Sequence, residues 1–225
     1  MTRTEPVDTH DLKVVGVDDD GMSSSGTEEW MDKSMDDPGE YGEDRLVDQL
    51  TGIGNRWGLY RELEQRLSQY GGTSAGMALF LLDLDHFRLI NDRYGVQVGD
   101  QILLAIARRL RDLAEPAGRA YRIGGEAFVV VPSDVKGRTE AIAFGKRVVE
   151  TVHAPLTASE FPASPPHLEG ERITASVGIA SWTTGMMPDD LLRNADRARY
   201  AAKGQRAEPG SGDSAILFDD LPPDN

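Results

Sequence analysis

The sequence predicts an α/β fold in which a mixed, mainly antiparallel sheet is flanked by helices. Short apolar runs typical of strands alternate with segments whose apolar residues recur at helical spacing. The run at 77–82 is continuously apolar, as expected of a strand that is buried on both faces. Two more runs, 120–123 and 128–131, flank Gly124 and Gly125 and therefore predict a β-hairpin.

The remaining elements follow in chain order from the same periodicities. Leu59, Leu63 and Leu67 recur at four-residue intervals, which predicts an amphipathic helix over 55–69. The other predicted elements are helices over 86–94, 99–113, 138–153 and 188–203, a Pro-rich loop over 154–170, and a strand over 172–182. The last helix has a proline at its start, where a missing N–H is harmless.

Negative charge is concentrated near the N-terminus. Residues 1–45 contain fourteen Asp or Glu and four Lys or Arg, a net charge of −10, with few aliphatic side chains. Such a segment cannot bury enough apolar surface to offset its loss of conformational entropy, so we expect a disordered acidic arm. The arm either solubilises the protein or binds a protein partner. The predicted domain covers 46–206, and the tail 207–225 contains a candidate edge strand at 214–218.

The overall composition argues against several classes of function. The 225-residue chain has a net charge of −14, which argues against general nucleic-acid binding but leaves nucleotides possible. It has no cysteine, so disulfides and thiolate metal sites are excluded. No apolar run approaches the roughly 20 residues of a membrane helix, and no signal peptide is visible. We therefore expect a cytoplasmic protein without membrane contact.

Carboxylates follow both the first buried strand and the hairpin glycines. Asp83 and Asp85 are two positions apart at the end of the strand, so their side chains are expected on the same side. They are typical of either a helix N-cap and a solvated loop or a Mg²⁺ site, because Mg²⁺ takes hard oxygen ligands and substrate phosphates. Glu126 follows a tip without side chains, which could admit a triphosphate, although such hairpins are more often simple turns. On neighbouring strands, Asp83 and Glu126 could share the metals of a phosphoryl-transfer site.

Five blocks of the sequence resemble the motifs of one known family. They are D-Q-L-T-G-I-G-N-R at 48–56, D-L-D-H-F-R-L-I-N-D-R-Y-G-V-Q-V-G-D at 83–100, R-I-G-G-E-A-F at 122–128, S-V-G-I-A at 176–180 and A-D-R-A-R-Y-A-A-K at 195–203. In the same order, they resemble D-x-L-T-G-L-x-N-R, D-x-D-x-F-K-x-I-N-D-x-x-G-H-x-x-G-D, R-x-G-G-[DE]-E-F, S-x-G-x-A and A-D-x-A-L-Y-x-A-K of GGDEF domains, the diguanylate cyclases. The resemblance implies a ferredoxin-like nucleotidyl-cyclase palm.

The resemblance also implies an activity and a metal site. Diguanylate cyclases join two GTP molecules into cyclic di-GMP and release pyrophosphate. They work as homodimers, because each active site contributes one GTP. By resemblance, Asp83, the backbone carbonyl of Leu84 and Glu126 would bind Mg²⁺ or Mn²⁺, and the two carboxylates would be the catalytic residues.

The same resemblance assigns residues to the nucleotide. Asn91 and Asp100 would bind the guanine edge, because an amide and a carboxylate match its donors and acceptors. Lys203 would contact phosphate, and Arg122 would support the triphosphate pocket beside the hairpin glycines. Each residue also has an ordinary structural interpretation: a turn for Asn91, a helix N-cap for Asp100, and solvated surface charge for the two basic residues.

Three departures from the family pattern bear on function. Ala127 replaces the second carboxylate of the signature, giving G-G-E-A-F, whereas Glu126 is retained. The sequence Glu-Pro-Ala-Gly at 115–118 stands in place of the R-x-x-D motif of the family's feedback site, so we expect no product inhibition through it. The basic residue usually found four positions after the tail lysine falls on Ala207, with Arg206 as a candidate substitute.

Two functions therefore remain open at the level of sequence. One is an active diguanylate cyclase, which the intact metal pair and guanine pair favour. The other is a degenerate, non-catalytic GGDEF module that binds GTP or a protein partner, which Ala127 favours. The sequence identifies neither the input signal nor the partner of the acidic arm.

Overall fold

The computed structural model describes residues 43–69, 77–116, 118–133, 135, 137–157, 159–160, 172–204 and 214–221. The predicted acidic arm lies outside these residues except for its last three, and most of the Pro-rich loop lies outside them as well. None of the helices in the described part of the chain is long and apolar enough to cross a membrane.

Six strands and five α-helices make up the described fold. In chain order they are β1 (Gly54–Asn55), α1 (Arg56–Gln69), β2 (Ala78–Leu84), α2 (Phe87–Tyr94), α3 (Val96–Ala114), β3 (Arg119–Arg122), β4 (Ala127–Val131), α4 (Gly137–His153), β5 (Ala175–Ser181), α5 (Pro188–Gly204) and β6 (Ser214–Leu217). Short 3₁₀ turns at Glu43–Leu46 and Phe218–Asp220 flank them.

The strands form one mixed sheet in the order β1-β3-β4-β2-β5-β6. The three inner pairs, β3 with β4, β4 with β2, and β2 with β5, are antiparallel. The two outer pairs, β1 with β3 and β5 with β6, are parallel. This arrangement confirms the α/β fold and the mainly antiparallel sheet predicted from the sequence.

The main hydrophobic core lies between the sheet and helices α3 and α4. Alternate strand residues such as Phe80, Phe128 and Ile179 are fully buried in it, as expected for a period of two. Phe144 of α4 packs against Phe80 with ring centroids 4.8 Å apart and ring planes inclined by 52°. This burial holds β2 rigidly in the sheet, and β2 carries the first predicted site residue.

Helix α5 approaches the opposite face of the sheet at a glycine. A Cβ atom at Gly178 would lie 1.9 Å from the carbonyl oxygen of Ala195 and 2.3 Å from the amide nitrogen of Arg199. Only glycine permits this approach, because both neighbouring atoms belong to the helix backbone. Ser176, two residues earlier on β5, shares this face and is paired with Asp83 of β2. The close packing therefore brings α5 to the end of β2.

Several element boundaries differ from the sequence prediction. Strand β2 ends at Leu84 instead of at residue 82, because its pairing with β4 and β5 continues past the apolar run. Helix α3 begins at Val96, three residues early, because Gly95 with a φ of 87° ends α2 and its carbonyl accepts the first bonds of α3. Strand β1 has only two residues, which is too short for a periodicity to reveal.

Candidate functional site

Asp83 lies one residue before the end of β2 and pairs with two cations from α5. Lys203 Nζ donates a hydrogen bond to Asp83 Oδ2 at 2.9 Å, and Arg199 Nη1 donates to the same oxygen at 3.3 Å. The residues opposite Asp83 in the sheet are Ala127 on β4 and Ser176 on β5. Asp83 is therefore a partly buried, ion-paired strand residue, and its interpretation as a helix N-cap or a solvated loop residue is wrong.

Glu126 reaches the same place from the hairpin between β3 and β4. The N–H of Leu84 donates to the backbone carbonyl of Glu126 at 3.3 Å, which joins the hairpin to the end of β2. Burial and the negative charge of Asp83 raise the pKa of the Glu126 carboxyl, against the opposing effects of Lys203 and Arg122. Two carboxylates that disfavour each other's charge form a site that a divalent cation would stabilise.

The donor set at this edge of the sheet fits Mg²⁺ or Mn²⁺ only in combination with a substrate. Within the described residues, no group of three or more Asp, Glu or His side chains is arranged to hold a metal ion. Asp83 and Glu126 offer two carboxylates, and Leu84, next to Asp83 in the chain, is bonded through its N–H to the backbone carbonyl of Glu126. Mg²⁺ commonly takes one or two protein carboxylates and completes its shell with phosphate oxygens and water.

The side chain of Arg122 joins the backbone of the hairpin tip to Asp48. Its Nε and Nη2 atoms donate to the carbonyl oxygen of Gly125 at 3.0 and 2.7 Å, and its Nη1 atom donates to Asp48 Oδ1 at 3.1 Å. Burial tends to raise the pKa of Asp48, but hydrogen bonds from Thr51 and Arg122 hold it below its ordinary value. The interpretation of Arg122 as solvated surface charge is therefore wrong, since its donors fix the position of the tip.

The two hairpin glycines are exposed, and nothing in the described fold requires them. Neither has a positive φ. A Cβ atom at Gly124 would make only an ordinary contact of 3.7 Å with Ala127 Cβ, and one at Gly125 would meet no described atom within 4 Å. The tip next to Glu126 is therefore uncrowded, and a bulky ligand can approach its backbone.

Asn91 and Asp100 form a second group, on α2 and α3. Gly99 makes room for the amide, because a Cβ atom there would lie 1.9 Å from Asn91 Oδ1. Asn91 Oδ1 is buried and has no hydrogen-bond partner in the described part of the chain. Leaving such an acceptor unsatisfied costs about 1–3 kcal/mol, so a buried orphan oxygen calls for a functional explanation.

The structural alternatives for these two residues are wrong. Asn91 lies inside α2 and is not a turn residue. Asp100 lies in the second turn of α3, whose N-cap is Gly95, so it does not cap the helix. Phe87, in contrast, is a core residue, with 6% of its surface exposed.

Arg199 and Asp196 belong to the site but were missed by sequence reasoning. Arg199 Nε and Nη2 donate to Asp196 Oδ1 at 2.9 and 2.7 Å, and Asp196 is only 2% exposed. A signal was available, because Arg199 occupies the leucine position of the A-D-x-A-L-Y-x-A-K block. A charged side chain in place of an apolar one near the tail lysine indicates a local change in electrostatics.

Asp85 has a different environment from Asp83. It is 6% exposed and accepts a hydrogen bond from Ser176 Oγ at 3.0 Å. Its backbone N–H donates to the carbonyl of Thr174 at 2.9 Å. Asp85 therefore ties the end of β2 to β5 and helps to hold the backbone that presents Asp83.

Comparison with known proteins agrees with this fold. A family model described as diguanylate cyclase, GGDEF domain, matches residues 45–209. Diguanylate cyclase DgcP of Pseudomonas aeruginosa is 34% identical over 160 residues, which cover 70% of this chain and 22% of DgcP. The chain thus spans about a fifth of the length of that curated relative.

Solved structures show the same architecture. The GGDEF domain of DgcB from Caulobacter crescentus, in complex with c-di-GMP, matches with a TM-score of 0.66 and 25% identity over 80% of this chain and 99% of that chain. Diguanylate cyclase SiaD from Pseudomonas aeruginosa, in complex with its activator SiaC, matches with a TM-score of 0.65 and 26% identity over 76% of this chain and 61% of SiaD. From the family match over most of its length and the shared fold, we conclude that this chain belongs to the GGDEF domain family.

Proposed function

We propose that this chain is a diguanylate cyclase, which condenses two GTP molecules into cyclic di-GMP and releases pyrophosphate. The observation that carries the proposal is the convergence of Asp83, Glu126 and Lys203 beside a hairpin tip that has no side chains. Two carboxylates for a metal, a cation for phosphate and an open backbone are what a phosphoryl-transfer site requires.

In this proposal, Asp83, Glu126 and the carbonyl of Leu84 hold Mg²⁺ or Mn²⁺. The metal, when bound, neutralises phosphate charge and acidifies the attacking 3′-hydroxyl. Lys203, now paired with Asp83, contacts a phosphate oxygen of the bound nucleotide. Arg122 contributes indirectly, because it holds the carbonyl of Gly125 and thereby the shape of the tip that the phosphates approach.

Guanine is the base that the second group of residues suits. The Watson–Crick edge of guanine presents N1–H and an exocyclic amine as donors. Asp100 can accept from both groups, and the buried Asn91 Oδ1 is an acceptor without a partner in the described structure. Binding of the base would satisfy this oxygen, and an adenine edge would offer fewer donors to the same acceptors.

Catalysis in this proposal needs two copies of the chain. Each site holds one GTP, and the 3′-hydroxyl of each nucleotide attacks the α-phosphate of the other. Two sites must therefore face each other in a homodimer during the reaction. The acidic arm, most of which lies outside the described residues, remains a predicted surface for a protein partner.

A non-catalytic module that binds GTP or a protein partner is the second candidate. Ala127 favours it, because this residue stands directly opposite Asp83 in the sheet. A glutamate at position 127, as in the family signature, would therefore lie on the same face of the sheet as Asp83. In this alternative the site binds the nucleotide without joining two of them.

The test is direct. The purified chain is incubated with GTP and Mg²⁺ or Mn²⁺, and the products are separated by chromatography, with an EDTA-treated sample as the control. The cyclase proposal expects cyclic di-GMP and pyrophosphate only in the presence of the metal. GTP binding without any product would favour the non-catalytic module, and absence of both would overturn the nucleotide assignment.

A further inference from the structure

Arg199 is a second cation at Asp83, and a buried carboxylate holds it in place. Two of its donors, on Nε and Nη2, are taken by Asp196 Oδ1 at 2.9 and 2.7 Å. The side chain of Asp196 is 3% exposed and that of Arg199 is 16% exposed. The remaining edge of the guanidinium, Nη1, is turned toward Asp83. Asp196 therefore orients the fork before any ligand binds.

The contact between Arg199 and Asp83 is the weaker of the two contacts at that carboxylate. It measures 3.3 Å, whereas charge-assisted hydrogen bonds are usually about 2.7–2.9 Å, as for Lys203. Arg199 and Lys203 are four residues apart on α5 and therefore lie on the same side of the helix. Little would be lost if Nη1 exchanged the carboxylate for a phosphate oxygen at the same place.

The charges around Asp83 indicate how Arg199 and Lys203 could bind a ligand together. Asp83 and Glu126 bring two negative charges to this edge of the sheet, and Lys203 and Arg199 both contact Asp83 when nothing is bound. A metal ion bound by Asp83 and Glu126 would free Lys203 and the Nη1 atom of Arg199 from Asp83, while Asp196 keeps its contacts with Nε and Nη2 of Arg199. A triphosphate adds several negative charges, and two oriented cations on one helix face would meet them.

We propose that Arg199 is a phosphate-binding residue that forms, with Lys203, a two-cation clamp for the triphosphate of the bound nucleotide. Asp196 is its positioning residue. The proposal rests on the proposed function for the identity of the nucleotide, but the chemistry it recognises is a metal-bound polyphosphate. It also accounts for the absence of a basic residue at Ala207, since Arg199 supplies the second cation one turn before Lys203.

The experiment compares four single variants of the full chain by calorimetry. Arg199→Gln removes the charge but keeps a donor for Asp196, and Arg199→Lys keeps the charge but loses the fork. Arg193→Gln is the matched control, because Arg193 is an exposed arginine of the same helix. Arg206→Gln tests the alternative source of the second cation. The probes are inorganic triphosphate with Mg²⁺, the GTP analogue with a methylene α,β-bridge, and guanosine.

We expect Arg199→Gln to weaken binding of Mg²⁺–triphosphate and of the analogue by about tenfold or more, the usual effect of one charge-assisted contact. Guanosine affinity should stay close to wild type, whereas the melting temperature should fall, because the buried Asp196 loses its charged partner. The triphosphate affinity of Arg199→Lys should lie between those of wild type and Arg199→Gln, and Arg193→Gln should have no effect. A purely structural role would instead weaken guanosine binding together with triphosphate binding.

The proposal is overturned if Arg199→Gln binds Mg²⁺–triphosphate as tightly as wild type, or if it weakens guanosine equally. It is also overturned if Arg206→Gln, and not Arg199→Gln, weakens the binding of Mg²⁺–triphosphate, or if wild type does not bind Mg²⁺–triphosphate. A wild-type chain that binds triphosphate through Arg199 but binds neither guanosine nor the analogue would sink the proposed cyclase function and leave the phosphate clamp standing.

Discussion

Asp83 on β2 and Ala127 on β4 are directly opposed residues of the antiparallel sheet. Opposed side chains in such a pair project from the same face, so the methyl group of Ala127 lies on the face that carries Asp83 and its two cations. Position 127 and Glu126 thus reach the site by different routes, one from the strand and the other from the hairpin.

We expect Ala127→Glu to raise cyclase activity, because it returns a carboxylate to the face of Asp83. The rate of cyclic di-GMP formation at saturating GTP measures this, and Ala127→Gln, which has the same shape without the charge, is the control. If wild type is inactive and Ala127→Glu forms product, Ala127 is the cause of the lost activity. An active wild type with no gain from the substitution would show that this carboxylate is dispensable.

Glu126→Ala should eliminate activity. It removes one of two proposed metal ligands and leaves Asp83 with two competing cations, and a single carboxylate holds Mg²⁺ poorly. Because Glu126 lies in a hairpin loop, the melting temperature should change little. The assay is product formation over a range of Mg²⁺ concentrations, and full activity in this variant would remove Glu126 from the metal site.

Asp83→Ala should also abolish activity while the fold persists. The residue is an ion-paired strand end, and partly exposed ion pairs of this kind contribute about 1 kcal/mol or less to the free energy of unfolding. Circular dichroism and a urea titration check the fold, and chromatography checks the product. Asp83→Asn is the matched control for shape. Near wild-type turnover in either variant would exclude Asp83 from the mechanism.

Cyclic di-GMP should not bind tightly through the segment 115–118. Glu115 is exposed, and a carboxylate there repels a bis-phosphate instead of forming the bidentate contacts of arginine. Gly118 leaves no space for an aspartate, since a Cβ atom would lie 2.7 Å from Pro132 Cα and 2.8 Å from the carbonyl oxygen of Val131. Titration calorimetry tests the prediction, which a submicromolar affinity that persists in Asp83→Ala would contradict.

Gly118→Asp extends the same argument to stability. Because the atoms around Gly118 are backbone, the sheet and the end of α3 would have to move to admit any side chain. We expect a clearly lower melting temperature and no gain of cyclic di-GMP affinity. A stable Gly118→Asp variant that binds the product would show that the segment can rearrange into a feedback site.

Glu160→Gln should reduce stability near neutral pH but not in acid. Arg109 donates to both carboxylate oxygens of Glu160, at 2.5 and 2.7 Å. Burial tends to raise the pKa of Glu160, but hydrogen bonds from Arg109 and Thr157 outweigh it and hold the pKa below its ordinary value of 4.5. The stabilisation is therefore complete above pH 4.5 and is lost as the pH falls through the lowered value.

The expected loss for Glu160→Gln at pH 7 is roughly 1–2 kcal/mol in the free energy of unfolding. Urea titrations of wild type and variant between pH 3 and 7 measure it. The difference in the free energy of unfolding between the two proteins should be roughly constant above about pH 5 and should disappear in acid. A difference that does not change with pH would mean that the ionised carboxylate of Glu160 is not what Arg109 stabilises.

Much of the fold and several site residues follow from local properties of the sequence. The alternation of strand and helix periodicities predicts the mixed sheet, and the hairpin is predicted by two glycines between apolar runs. Asp83 and Glu126 can be named because strand ends and a bare hairpin tip are visible in the sequence. Local chemistry decides these features, so they need no knowledge of distant contacts.

Tertiary structure alone decided what surrounds those residues. Asp83 and Ala127 are 44 positions apart in the sequence, and their pairing depends on the register between β2 and β4. The position of Arg199 depends on how closely α5 approaches Gly178, and the orphan oxygen of Asn91 depends on the turn at Gly95 that starts α3. Distances between remote residues follow from packing of whole elements, and no periodicity along the chain encodes them.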